Sequence, residues 1–238
     1  MKNFILILIA VCSVFIAKAQ KDIVVDPNAT VRNVSGDFKT IKISGGIDLY
    51  LSQSDKTAIA VSASAENYKE EIKTVIENGT LKITFEGSKG WTKKDRKLRV
   101  YVSFTDLNKL DVSGACDVFV TGSISTSTLV LQMSGACDFK GMVTVNTMDI
   151  NLSGASDAKL SGTAGTVNIK STGASDVKGY NFVADFCNAN ASGASDINIT
   201  VNKELNATAN GASDISFKGS GLIKEMKSSG ASSISRKN

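Results

Sequence analysis

Residues 113–122 read SGACDVFVTG, and the first five of them recur along the chain. The copies are SGACD at 113–117 and 134–138, SGASD at 153–157, TGASD at 172–176, SGASD at 192–196, NGASD at 210–214 and SGASS at 229–233. Their glycines are Gly114, Gly135, Gly154, Gly173, Gly193, Gly211 and Gly230, spaced by 21, 19, 19, 20, 18 and 19 residues. A period of about 19 residues is that of a stacked coil. A unit so short cannot bury its own apolar side and must share it with its neighbours.

The phase of the apolar residues shows what each coil is made of. Positions two, four and six before each glycine are apolar or small, as in Leu129, Leu131 and Met133, or Met148, Ile150 and Leu152. Four and six residues after it come Val118 and Val120, Ala158 and Leu160, Ile197 and Ile199. The residues between are mostly polar. Period two is that of strands with one buried face. The five-residue motif then reads as the corner between two short strands. Glycine there allows positive φ or close approach of the next coil, and the aspartate can bond its own nearby backbone.

The expected fold is therefore all-β. It is a single-chain parallel β-helix, or solenoid-like coil stack, of about seven turns, with an irregular β-rich N-terminal portion. Residues 1–19 read as a signal peptide: MKNF, an apolar run at 5–17, and AKA before Gln20. That run is short for a bilayer span, and a lipoprotein reading at Cys12 conflicts with Val11, where a small residue is expected. Residues 20–35 read as a lead-in. Residues 36–238 form one β domain, with 36–110 the irregular portion and 111–238 the repeated coils. Within the irregular portion FKTIKIS, GIDLYLS, TAIAVSA, TLKITFE and KLRVYVSF alternate, AENYKEEI suggests a short helix and ENGT a hairpin turn. This portion is expected to cover one end of the stack.

Composition excludes several function classes. The chain has 20 glycines, one proline and no histidine, which removes the commonest general base and metal ligand. Net charge is +4, and about +2 once Lys2 and Lys18 leave with the signal. That gives no case for nucleic-acid binding. No G-x-S-x-G, phosphate-cradling loop or metal-ligand motif occurs, and no cofactor is implied.

Three constellations remain. Asp117, Asp138, Asp157, Asp176, Asp196 and Asp214 occupy one repeat position, about 4.8 Å apart if coils stack. A row of calcium ions and simple corner capping are the two readings, and one carboxylate per coil supplies few ligands for calcium. Cys116 and Cys137 share a position on successive coils, so they are either a disulfide or two small corner fillers. Cys187 sits where other coils place Leu129, Met148 and Val167, as a core thiol does. The run KGWTKKDRKLR at 89–99 offers Trp91, Lys93, Lys94 and Arg96 either as a ligand loop for a glycan or polyanion or as a solvated hairpin tip.

The opening GDFKTIKISGGIDLYLSQ, with VSGACDVFV and the SGASD copies after it, resembles the exported bacterial family called putative auto-transporter adhesin head GIN domain, common in Bacteroidetes. The GIN element looks like Gly46-Ile47-Asp48, and the likeness covers roughly residues 36–220. The resemblance implies a β-helix-like fold and an adhesin-type domain of unknown function. No stretch able to form a membrane barrel follows the repeats, so self-secretion is not expected. A non-enzymatic binding or adhesion module is the leading expectation, at the cell surface, in the periplasm or outside the cell. Its partner would be a surface glycan or a protein, with no transmembrane segment in the mature chain. The alternatives are a polysaccharide-acting β-helix enzyme and a structural protein of the cell envelope.

Overall fold

The computed structural model describes residues 26–87 and 96–238. The signal-peptide and lead-in readings over 1–25 lie outside these residues, as do Trp91, Lys93 and Lys94. The fold is a β-solenoid of about seven turns, as the repeat demands. Five long strands carry the regular part: β9 (Asp117–Gly135), β10 (Asp138–Gly154), β11 (Asp157–Gly173), β12 (Asp176–Gly193) and β13 (Asp196–Gly211). Each winds once around the core and is followed by the five-residue corner, and each pairs in parallel with the next. β14 (Asp214–Lys218), β15 (Leu222–Gly230) and β16 (Ser233–Arg236) finish the stack, β14 and β15 pairing with β13 and β16 with β14.

The corner explains its own sequence. Gly135 has φ +97° and Gly154 φ +82°, a region that only glycine enters freely. The carbonyls of Gly114, Gly135, Gly154, Gly173 and Gly193 accept the N–H of the next coil's alanine, as in Ala155 N–H to Gly135 O at 2.7 Å. A Cβ on Gly135 would lie 2.3 Å from Gly114 O, and one on Gly154 2.5 Å from Gly135 O. The fourth motif residue turns inward. Cys116, Cys137, Ser156, Ser175, Ser195 and Ser213 are all fully buried. Most donate to the carbonyl three residues back: Cys116 Sγ to Ser113 O at 3.3 Å, Ser195 Oγ to Ser192 O at 2.9 Å, Ser213 Oγ to Asn210 O at 2.8 Å. That side chain, rather than the aspartate expected from the sequence, ties most corners to themselves.

Columns of like residues fill the interior. One runs Leu49, Val118, Phe139, Ala158, Val177, Ile197, Ile215 in register. The unequal motif spacings are absorbed by bulges on one flank. β9 carries two extra residues between Phe119 and Ser123, opposite Lys140 and Met142, and β12 one extra between Lys178 and Asn181, opposite Lys159 and Ser161.

The N-terminal portion holds the main departure from the sequence reading. Residues 36–110 read as non-repetitive, yet SGGID at 44–48 is a further copy of the corner. β2 (Thr40–Ser44) pairs with β8 (Lys109–Gly114), and Ser44 opposes Ser113. β3 (Asp48–Gln53) pairs with β9, Leu49 opposing Val118. Gly45 has φ +103°, matching Gly114 at +94°. On the far side of β2 and β3 lie β6 (Thr80–Phe85) and β7 (Arg99–Phe104), both parallel. The coils thus stack in the order β6/β7, β2/β3, β8/β9, which is not chain order. β4 (Ala58–Ser62), β5 (Ile72–Glu77) and β1 (Thr30–Arg32) then close that end antiparallel, on β7, β6 and β4. Helix α1 (Glu66–Glu71) connects β4 to β5, and Asn78-Gly79 make the expected hairpin turn.

Candidate functional site

Stacking in register turns repeated positions into rows of side chains. The first row stands at the exit of the corner: Arg99, Asp48, Asp117, Asp138, Asp157, Asp176, Asp196, Asp214, Ser233. The six expected aspartates do align, and Asp48 joins them. Burial and the facing Asp117 carboxylate push the Asp48 carboxyl up, and burial with Asp138 does the same to Asp117. Farther along, neighbours offset the repulsion. Lys178 Nζ pairs with Asp157 and lies 3.6 Å from Asp176. Asp176 Oδ1 accepts from Asp196 N–H at 3.3 Å, and Asp214 Oδ1 from Ser233 N–H at 3.1 Å. These aspartates reach across to the next coil instead of capping their own. Among the described residues no three acidic or thiol side chains converge into a group able to hold a metal.

The second row lies two residues on, along the same flank: Tyr101, Tyr50, Phe119, Lys140, Lys159, Lys178, Asn198. Tyr101 and Tyr50 stack with ring centroids 5.0 Å apart, and Tyr50 and Phe119 at 5.2 Å. Tyr101 donates to Asp26 Oδ2 at 2.9 Å, and burial pushes its hydroxyl up to about 12. Beyond this row, where the bulges occur, a groove of about 640 Å³ opens, with Lys140, Lys159 and Lys178 on one wall and Met142, Tyr180 and Asn181 on the other. Its lining includes no carboxylate. Lys218 Nζ lies 5.2 Å over the Tyr180 ring. A smaller groove of about 360 Å³ crosses another face along an amide ladder. There Asn168 donates to Asp149 at 2.7 Å, Asn188 to Asn168 at 2.8 Å and Asn206 to Asn188 at 2.8 Å.

The lysine row was missed in the sequence, though its signal is there. Tyr50, Phe119, Lys140, Lys159 and Lys178 each stand five residues after a corner glycine, Gly45 included. Cys116 and Cys137 are stacked neighbours as expected, and both are free thiols, each aimed at its own corner carbonyl. The contact between them pulls the Cys116 thiol down and pushes Cys137 up. Cys187 is a core thiol, pushed up to about 12 by burial. Arg96 lies over two rings, 5.7 Å from Tyr68 and 5.1 Å from Phe85, so it packs on the head and not on the lysine groove.

The model of the family described as "Putative auto-transporter adhesin, head GIN domain" matches residues 37–221, and the chain belongs to that family. Solved structures share the fold. A "putative adhesin" from Bacteroides fragilis superposes with TM-score 0.82 at 23% identity, over 87% of this chain and 95% of that one. A "putative adhesin" from Parabacteroides merdae gives 0.70 at 19% identity, over 90% and 98%. A "Putative lipid binding protein" from Parabacteroides distasonis gives 0.66 at 20% identity, also over 90% and 98%. A search of curated proteins returns no match.

Proposed function

We propose that this member of the GIN-domain family is an exported, non-enzymatic binding module of the cell surface or periplasm, presenting one flank of its solenoid to an extended partner. The observation that carries this reading is the groove beside the lysine row, which runs over several coils and is lined by cations, rings and amides. A rigid stack of side chains held at fixed spacing suits recognition of a repeating partner, because little has to be ordered on binding. The family and two of the three solved relatives above carry the description "putative adhesin", which agrees with such a role. A polysaccharide-cleaving enzyme of this shape would need two or three convergent acids at the ligand. The carboxylates instead run in a single row outside the groove lining. No helix among the described residues is long and apolar enough to cross a membrane.

The test is protease accessibility on intact cells carrying the tagged protein, with a periplasmic protein as control. Digestion of the tagged protein while the control survives supports a surface module. Survival until the outer membrane is opened restricts the module to the periplasm and excludes adhesion. Recovery of the protein with the cytoplasmic fraction contradicts the proposal.

A further inference from the structure

Resting on the binding-module reading, we propose that the groove takes an extended acidic polysaccharide, one bearing carboxylate or sulfate groups, laid along the stack axis. The inference comes from one row of side chains. Lys140, Lys159 and Lys178 oppose one another on successive coils, about 4.8 Å apart. Like charges placed directly opposite in a sheet repel. Folding does not call for them, since the same position carries Phe119 on one side and Asn198 on the other. Lys178 is held by Asp157 and Asp176. Lys140 and Lys159 are exposed and make no hydrogen bond or ion pair among the described residues. They are two available cations a coil apart, on the wall of a groove that contains no acid.

The rest of the groove supports the same ligand class. Tyr50 covers one face of Phe119, and the ring lines the head end of the groove, where it offers an apolar wall to a sugar ring. Met142 adds apolar surface from the opposite wall, and Asn181 and Asn198 supply amides suited to hydroxyl groups. The aspartate row runs parallel to the lysines on the corner side. It repels a polyanion from that direction and so confines it to the groove. A linear polymer fits because the row is linear, and anionic groups repeated along it meet ammonium groups repeated along the stack.

The experiment uses affinity electrophoresis of the full mature chain in gels containing polygalacturonate or chondroitin sulfate, with dextran and xylan as neutral polymers. The expected result is retardation by at least one acidic polymer, weakening as salt is raised. The double variant Lys140→Ala/Lys159→Ala should bind roughly tenfold more weakly. Lys42→Ala/Lys170→Ala, which removes the same charge elsewhere, should bind as the parent does. Thermal melts of both variants establish that the fold is kept. Preference for carboxylated over sulfated polymer, or the reverse, identifies which anion the groove takes. Equal loss in the two double variants overturns the site. Retardation by neutral polymers alone overturns the acidic class and leaves the binding-module reading standing. No retardation by any of the four polymers overturns the proposal, while the module reading is judged separately by surface digestion.

Discussion

The repeated coils and the N-terminal head build the same stack by different routes. From β9 to β13 each coil lies on the one before it in the chain, and the corner recurs with the same glycine, alanine and aspartate. In the head, β2/β3 is joined by SGGID, yet the coil next in sequence, β6/β7, goes to its outer side, and β8/β9 returns to the inner one. The head then ends in antiparallel strands, which cover an edge that would otherwise be free to pair with another chain. Continuity of side-chain rows does not require continuity of chain order. The aromatic row of the head passes into the lysine row of the coils because β3 sits against β9.

The harshest way to break the shared core is Ile150→Asp. Ile150 is fully buried, and an unpaired carboxylate there costs several kcal/mol, comparable with the whole stability of a domain. Circular dichroism should show loss of the folded state. The corners sharpen the comparison at the next level down. Gly114 and Gly135 share a positive φ, yet a Cβ on Gly114 meets nothing closer than Gly45 N at 3.4 Å, while one on Gly135 runs into backbone at 2.3 Å. Gly114→Ala should therefore cost about 1–2 kcal/mol and Gly135→Ala about 2–4 kcal/mol in urea denaturation. Equal costs would deny that backbone crowding distinguishes the two corners. Ser156→Ala, which removes the inward hydrogen bonds to Ser153 O and Gly135 O, should cost about 1 kcal/mol.

The smallest effect concerns the seam between head and coils. Asp48 and Asp117 have carboxyl groups pushed up in the folded protein. Their stabilising contribution is complete below the ordinary carboxylate range and is lost as pH rises through the raised folded value. Asp117→Asn should accordingly stabilise the fold at pH 7 by on the order of 0.5 kcal/mol or less, seen as a slightly higher melting temperature, and leave the melting temperature unchanged near pH 3. A lower melting temperature at pH 7 would show that the carboxylate is needed there.

Much of this was legible in the residues. The glycine period and the alternation around Leu129, Leu131 and Met133 suffice for parallel coils with one buried face. The alignment of the six aspartates follows from the same register. The eighth corner, Ser44–Asp48, was hidden because Ile47 fills the place of cysteine or serine and because the strands that follow it leave the stack before returning. Pairing between strands distant in sequence leaves no local period to read. The groove was hidden for another reason. Its lysines look like any solvated face until bulges beside Lys140 and Lys159 raise an opposite wall, and those bulges appear in the sequence only as spacings that depart from 19.

The out-of-order stack is the claim on which the continuous flank depends, and thiol bridging tests it directly. In a background of Cys116→Ser and Cys137→Ser, cysteines are placed in pairs at positions 48 and 117, 99 and 117, and 117 and 138, and treated with a short bifunctional thiol reagent. The account predicts that 48 bridges to 117 as readily as 117 bridges to 138, and that 99 does not reach 117. Bridging of 99 to 117 with none from 48 would place β7 beside β9 and contradict it.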